Sequence, residues 1–440
     1  MMTRVAQSNG AQAQRSQNQN NDKTTTDLSL NIAVIGAGII GVMTALGLLH
    51  AGHKVTVFEK ADDYADVGAA MAFTGVAREC MQRLNPAILE ALQRVGETNR
   101  HRMNRYWDGF SPASSEAARS EESLLFQQSA RELDYTGCLR SSLDSYSEDV
   151  AGVELRFADG STVQADAACD GIHSKARRLL LGEDNPASRP SFTHKVAYRA
   201  IIPMADGIAA LGEDKANNQC ARMGPDAHLL SFPVAQWTLS NVFLFLHDPK
   251  PWPNPHKTTM EVDKSEIVPV LNKWGPDVRQ LLQKLPDRVF AWAIFDTADH
   301  PADTYARGRV CLAGDAAHAS SPFHGAGACM GVEDALVLVS ALDTTLCSMS
   351  NGASKSKAEA ISAAFQGYSA VRLKRSQWLV RSSRDMGDIY EWRYPATGND
   401  AVKIKDEIES RSRILWDFDV GDMVAKVRAE CQQGMKLNTT

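Results

Sequence analysis

Three glycines, Gly36, Gly38 and Gly41, stand in the order G-x-G-x-x-G, and Glu59 follows 18 residues after the last of them. Glycines so spaced let a chain turn tightly, admit a pyrophosphate against backbone N–H groups and bring a helix close to a strand. The helix N-terminus behind them offers unpaired N–H groups and positive potential to phosphate. The acid falls where a ribose hydroxyl needs an acceptor. This is dinucleotide chemistry, and by itself it does not separate NAD from FAD. A second kind of chemistry is carried by Arg199 in Val196-Ala-Tyr-Arg199-Ala-Ile-Ile-Pro203. Strand alternation puts Arg199 on the face opposite Tyr198, with Ala197 and Ile201 beside it. A guanidinium on a small apolar face invites an anionic partner, and a carboxylate can meet it bidentately. An ordinary exposed strand arginine is the competing reading.

The elements that must position these residues are legible around them. Asn31 to Ile35 is a short apolar run suited to a buried parallel strand, a helical stretch follows the glycines through Leu49, and Lys54 to Phe58 is a β-branched strand ending at Glu59. Strand, glycine turn, helix and strand form a βαβ unit, which favours the dinucleotide reading over incidental glycine packing. The apolar stretch from Ala33 to Leu49 contains four glycines and is shorter than the roughly 20 residues of a membrane helix, so no span is expected.

Composition bounds the rest. The chain has 440 residues, 44% hydrophobic and 23% charged, with 47 basic and 53 acidic side chains giving a net charge of −6. That is a globular composition without the basic field that nucleic acid requires. Eight cysteines are scattered without a CxxC pair or metal spacing, as expected of reduced thiols in a cytoplasmic protein without structural zinc. Residues 1–30, rich in Gln, Asn, Ser and Thr, read as a disordered tail.

Further along, 152–165 reads as a hairpin around Asp159-Gly160 that could extend an α/β sheet. Longer strands over 195–203, 228–234 and 239–246, with an amphipathic helix over about 264–285, indicate a second, sheet-rich domain. Arg309 to Ala313 returns to a buried strand, leading through Gly314-Asp315 and a glycine-rich turn into a helix over 331–346. Helices over 358–392 and 403–426 close the chain. The expected organisation is a discontinuous cofactor domain, 31–194 and 300–346, an inserted substrate domain, 195–299, and a helical segment, 347–440.

Two further motifs carry a resemblance: Cys169-Asp170-Gly171-Ile-His-Ser-Lys-Ala-Arg177, and Gly314-Asp315-Ala-Ala-His318 followed by Ser321-Pro-Phe-His324-Gly325-Ala-Gly327-Ala-Cys-Met-Gly331-Val-Glu-Asp334. With the glycine fingerprint, these resemble the three signatures of the single-component FAD-dependent aromatic hydroxylases, closest to fungal salicylate hydroxylase-like monooxygenases. The likeness covers most of residues 32–418. It implies an α/β fold of the p-hydroxybenzoate hydroxylase type: a Rossmann-like FAD-binding domain, an inserted sheet-rich substrate domain and a helical C-terminus. It also implies FAD as cofactor, NAD(P)H and O2 as co-substrates, and hydroxylation of a phenolic or hydroxybenzoate-like compound, with loss of CO2 where a carboxylate carbon is attacked.

Residue by residue, the resemblance implies that Glu59 holds the adenosine ribose, Asp315 the ribityl chain, Ala72 the cofactor through its backbone, and Arg140 and Asp170 further FAD contacts. It puts Gly325 to Ala328 beside the isoalloxazine and gives Arg199 the activation of a phenol. Only one complete G-x-G-x-x-G occurs, so a separate Rossmann domain for NAD(P)H is not expected. His318 and His228 read as structural histidines, His324 as a residue near the flavin, and the basic run Arg372, Lys374, Arg375, Arg381, Arg384 as a solvated helix face. Phe232 stands where the dearomatising relatives carry tyrosine. Between Arg140 and Gly152 the pattern lacks about a helix's worth of chain. A truncated, non-catalytic flavoprotein therefore stays open beside a FAD-dependent dehydrogenase or oxidase. The ring substrate, the nicotinamide preference and the oligomeric state are not written in the sequence.

Overall fold

The computed structural model describes residues 29–59, 72–95, 103–110, 124–129, 145–148, 153–156, 162–170, 175–254, 257–352 and 355–436. The strand Asn31–Ile35 pairs in parallel with Lys54–Phe58 on one side and Ala167–Asp170 on the other. Val310–Leu312 adds a fourth parallel strand beside Ala167–Asp170, and the short Ala306–Arg307 closes the edge antiparallel. Four of the five residues of Asn31–Ile35 are buried, as a strand covered on both faces must be. The helices Ile39–His50 and Gly327–Ser350 lie against this layer, and Lys357–Tyr390 packs outside them. Lys357–Tyr390 opens with a capping box, in which Ser356 and Glu359 satisfy each other's backbone N–H groups.

The second layer is an eight-stranded sheet in the order Thr259–Asp263, Arg288–Asp296, Ser191–Pro203, Leu239–His247, Ala227–Val234, Gln219–Gly224, Met103–Asp108, Leu124–Ser129. One face packs on short helices through Leu211, Leu271, Trp274, Val278, Leu281 and Leu282. The other face meets Phe323, Met386, Ile389, Ile404 and Ile408 from the C-terminal half. Arg199 is on this second face.

Several expectations are corrected. Met103–Asp108 and Leu124–Ser129 join the eight-stranded sheet, so that layer draws on chain well before 195. Met103–Asp108 is tied to the sheet by Gln219–Gly224, more than a hundred residues away in sequence, and no local pattern encodes such a pairing. The hairpin strands Val153–Arg156 and Thr162–Ala165 form a separate three-stranded sheet with Ser145–Glu148 and do not extend the parallel one. The helix expected over 264–285 is broken into Val268–Leu271 and Pro276–Gln283, because Pro276 has no N–H with which to continue a helix and starts a new one instead. The last helical stretch is two helices, Ala401–Trp416 and Val420–Lys436. Of the basic run, Lys374 and Arg381 are exposed as a solvated face requires, but Arg372 is fully buried and Arg375 and Arg384 are engaged in ion pairs.

Candidate functional site

Register brings the sequence motifs together. Ile35 faces Phe58, Val34 faces Cys169, and Asp170 faces Leu312, so four parallel strands end in line. The turns after them carry Gly36, Glu59 and Gly314-Asp315, with Asp170 itself closing its strand. Open α/β sheets bind ligands outside these carboxyl ends. The side chain of Asp170 and all of Arg140 lie outside the described residues.

The glycines are required where they stand. Gly36 has φ +105°, and a Cβ on Gly41 would come within 1.9 Å of the Gly36 carbonyl oxygen, so neither position tolerates a side chain. The Gly36 amide donates to the Phe58 carbonyl at 2.8 Å and the Ala37 amide to Glu59 Oε2 at 2.9 Å, which ties the acid to the turn. Helix Ile39–His50 starts at Gly38 with no side-chain cap on its N–H groups.

A second uncapped helix N-terminus adjoins it. Gly327–Ser350 begins after Ala326 without a side-chain cap. Ile40 fits against Gly331, where a Cβ would stand 2.6 Å from its side chain, and against Gly314 at 3.5 Å. Small residues at these two points let the helices and the Gly314 turn crowd together. A Cβ on Gly327 would lie 3.9 Å from Asp315 Oδ1, placing that carboxylate beside the second helix start. Ala72 is held to the same helix: the Cys329 thiol donates to the Ala72 carbonyl at 3.3 Å, and the Thr74 amide donates to Cys329 Sγ at 3.4 Å. Burial pushes that thiol up to about 11. Ala328 packs against the core at the second residue of the helix.

Buried charges stabilise the Gly314-Asp315 turn from behind. Asp334 accepts from the Gly314 amide at 2.8 Å, from Arg372 Nε at 2.7 Å, and lies 2.6 Å from His318 Nε2. Burial alone would raise the Asp334 carboxyl, but the charges of His318 and Arg372 hold it below the usual range. Arg372 also reaches Glu333 at 2.7 Å, and Arg375 pairs with Glu333 at 2.8 Å. On the other side, Arg177 donates to the carbonyls of Ala316 and Ala317, at 2.7 Å each. Arg177 and Asp334 stand within the sequence motifs, where no role attaches to them. Their signal was there: charged residues inside otherwise small, apolar motifs.

The apolar face of the eight-stranded sheet is a set of rows. One row runs Glu261, Phe290, Arg199, Phe243, Leu230, Ala221, Tyr106, Phe126, each opposite the next across neighbouring strands. The next runs Trp292, Ala197, Phe245, His228, Met223. The guanidinium of Arg199 lies 5.4 Å from the centre of the Phe243 ring, and its Nε donates to Asn241 Oδ1 at 3.3 Å. Asn241 was not foreseen. Phe232 is opposite Asn241 and stacks on Phe243, with ring centres 6.3 Å apart. Phe323, in the turn just before Gly325, meets Phe245 at 5.2 Å and so joins this face to the cofactor-side motif.

His228 is buried and packs on Phe245, with Nδ1 3.2 Å from Glu391, which also pairs with Lys195. It is structural, as the sequence indicated. Among the described residues there is no cluster of side chains suited to a metal, and no helix long and apolar enough to cross a membrane.

These groups fit a dinucleotide: a glycine turn that a Cβ would obstruct, two uncapped helix starts that donate, and carboxylates along the strand edge that accept. Comparison with known proteins agrees. Residues 29–357 match the family model described as FAD binding domain. A FAD-dependent monooxygenase of Aspergillus terreus is 50% identical over 430 residues, covering 92% of this chain and 98% of that protein. A salicylate hydroxylase of Sarocladium schorii is 39% identical, covering 93% of each. The solved structure of a salicylate hydroxylase substrate complex superposes with TM-score 0.76 at 29% identity, covering 91% of this chain and 98% of that one.

Proposed function

Because this chain belongs to the FAD binding domain family and is a FAD-dependent monooxygenase of the salicylate hydroxylase type, we propose that it hydroxylates a phenol or hydroxybenzoate-like acid with NAD(P)H and O2. The observation that carries the choice of substrate is Arg199, set in a row of aromatic side chains on the face that meets the turn before Gly325. The planar guanidinium orients a phenolate or carboxylate, and the phenyl rings beside it hold the substrate's ring. Asn241 fixes the guanidinium by accepting from Nε. Bound FAD supplies the redox chemistry, accepting hydride from the nicotinamide and activating O2.

The remaining residues hold and shield. Gly36, Gly38 and Gly41 with the start of Ile39–His50 take the pyrophosphate, Glu59 the adenosine ribose, and Asp315 the ribityl hydroxyls. Asp170, Arg140 and the backbone at Ala72 complete the cofactor contacts. The N-terminus of Gly327–Ser350, with Gly325 to Ala328, stabilises negative charge on the reduced ring system. The packed apolar face around Phe243, Phe245 and Phe323 keeps water from the reacting centre. On this reading the cofactor layer takes in 31–194 and 300–346 apart from the two strands within 103–129, the substrate layer those strands with 195–299, and 347–440 a helical buttress.

The test is the visible spectrum of the purified protein, then NADPH oxidation with and without a panel of hydroxybenzoates. Flavin bands with aromatic-stimulated NADPH consumption are expected. Anaerobic bleaching of the flavin by an aromatic in the absence of NAD(P)H would instead identify a dehydrogenase or oxidase.

A further inference from the structure

His324 occupies the last position of the turn Pro322–His324, one residue before Gly325, whose φ of +63° swings the chain toward helix Gly327–Ser350. Its ring stacks on Trp378, with centres 6.1 Å apart and planes 29° from parallel. Nε2 lies 2.9 Å from the hydroxyl of Ser382. That hydroxyl also accepts from Arg411 Nη1 at 2.9 Å, and Arg411 is held in place by Asp385 and Glu407, at 3.0 Å each, and by the hydroxyl of Tyr394 at 3.1 Å.

Valence fixes the first of these directions. A guanidinium can only donate, so the Ser382 oxygen receives from Arg411 and must spend its one proton elsewhere. Among the described residues the only acceptor within its reach is His324 Nε2. With that proton given to Nε2, the ring proton is on Nδ1. Burial, with the positive charge of Arg411 behind it, pushes the imidazole down to about 3, so the ring is neutral and has a single N–H. That Nδ1–H has no partner among the described residues and is not sealed inside the protein, so it is open to a ligand beside the turn.

We propose that His324 is a fixed hydrogen-bond donor to the flavin ring, its tautomer set by Ser382, which Arg411 holds in place. The proposal rests on the reading that Gly325 to Ala328 border the isoalloxazine. It adds a named side-chain donor to a site otherwise built from backbone and carboxylates. Ser382 and Arg411 are positioning residues that act through the imidazole.

The experiment titrates FAD into the deflavinated full-length protein, following flavin fluorescence and the visible absorption of the bound form. No aromatic or reductant is present, so the result is independent of whether the chain hydroxylates anything. His324→Leu should weaken FAD about tenfold, the worth of one hydrogen bond. His324→Asn, whose amide N–H falls where Nδ1–H was, should stay near wild type and retain its spectrum. His324→Gln, whose amide reaches the Nε2 position instead, should resemble the leucine variant. Should His324→Leu fail to fold by far-UV circular dichroism, the asparagine and glutamine pair decides. Equal weakening in Asn and Gln would assign the ring to packing on Trp378 and overturn the proposal. Unchanged FAD affinity and spectrum in the leucine or glutamine variant would overturn it too.

Discussion

The two sides of the site are built differently. Behind the cofactor-side turn, Asp334, Glu333, Arg372, Arg375 and His318 are linked in a buried network that also grips the Gly314 backbone. On the substrate-side sheet, Arg199 is half-buried among rings, with Asn241 and the Phe243 face as its neighbours. Phe290, opposite it on the next strand, and Ile201, two residues along its own, are exposed. Buried paired charges are poor sources of net stability but hold geometry tightly, since breaking one leaves an uncompensated charge. An aromatic face with one guanidinium tolerates variation in what lies upon it. On the proposed reading, the contrast separates an invariant task, holding one cofactor in one pose, from a variable one, accepting a particular ring.

The largest expected effect is therefore on the cofactor side and on the fold itself. Asp334→Ala strands the fully buried Arg372 and releases the Gly314 amide. It should destabilise the protein by about 3–5 kcal/mol in urea unfolding. A loss below about 1 kcal/mol would mean that the network is not the support described. Next, Gly41→Ala sets a methyl 1.9 Å from the Gly36 carbonyl oxygen, and FAD affinity should fall by about a hundredfold in a fluorescence titration. Unchanged affinity would show that the turn can yield.

A smaller effect comes from pH. His324 is held down to about 3 in the folded protein, against 6.5 ordinarily. Below pH 6.5 the unfolded chain binds a proton that the folded chain refuses, so this group's contribution to stability falls as the pH falls towards 3. The slope approaches about 1.4 kcal/mol per pH unit. His324→Asn should flatten the acid limb of the stability curve. Smallest is Asn241→Ala, which removes the acceptor of Arg199 Nε and should weaken binding of a stimulating aromatic by about 1 kcal/mol, or roughly fivefold, with FAD affinity unchanged.

What was legible in the sequence was what local geometry dictates. Gly36, Gly38 and Gly41 announce a turn that only glycine can make, and Glu59 follows at the distance that one helix and one strand impose. The face of Arg199 could be read from the two-residue period of its strand. What could not be read depends on distant partners. Arg372 meets Asp334 across 38 residues and two helices, and nothing in a helix full of arginines says which one faces inward. The lock on His324 needs Ser382 and Arg411 from two other helices. The strands at 103–108 and 124–129 declare their sheet only through Gln219–Gly224.

The most direct test compares wild type with Arg199→Ala for bound flavin and for NADPH oxidation stimulated by the best hydroxybenzoate of the panel. The account predicts equal flavin occupancy in both proteins and loss of the aromatic stimulation in the variant. Equal stimulation in both would contradict it, and would move the substrate off the Arg199 face.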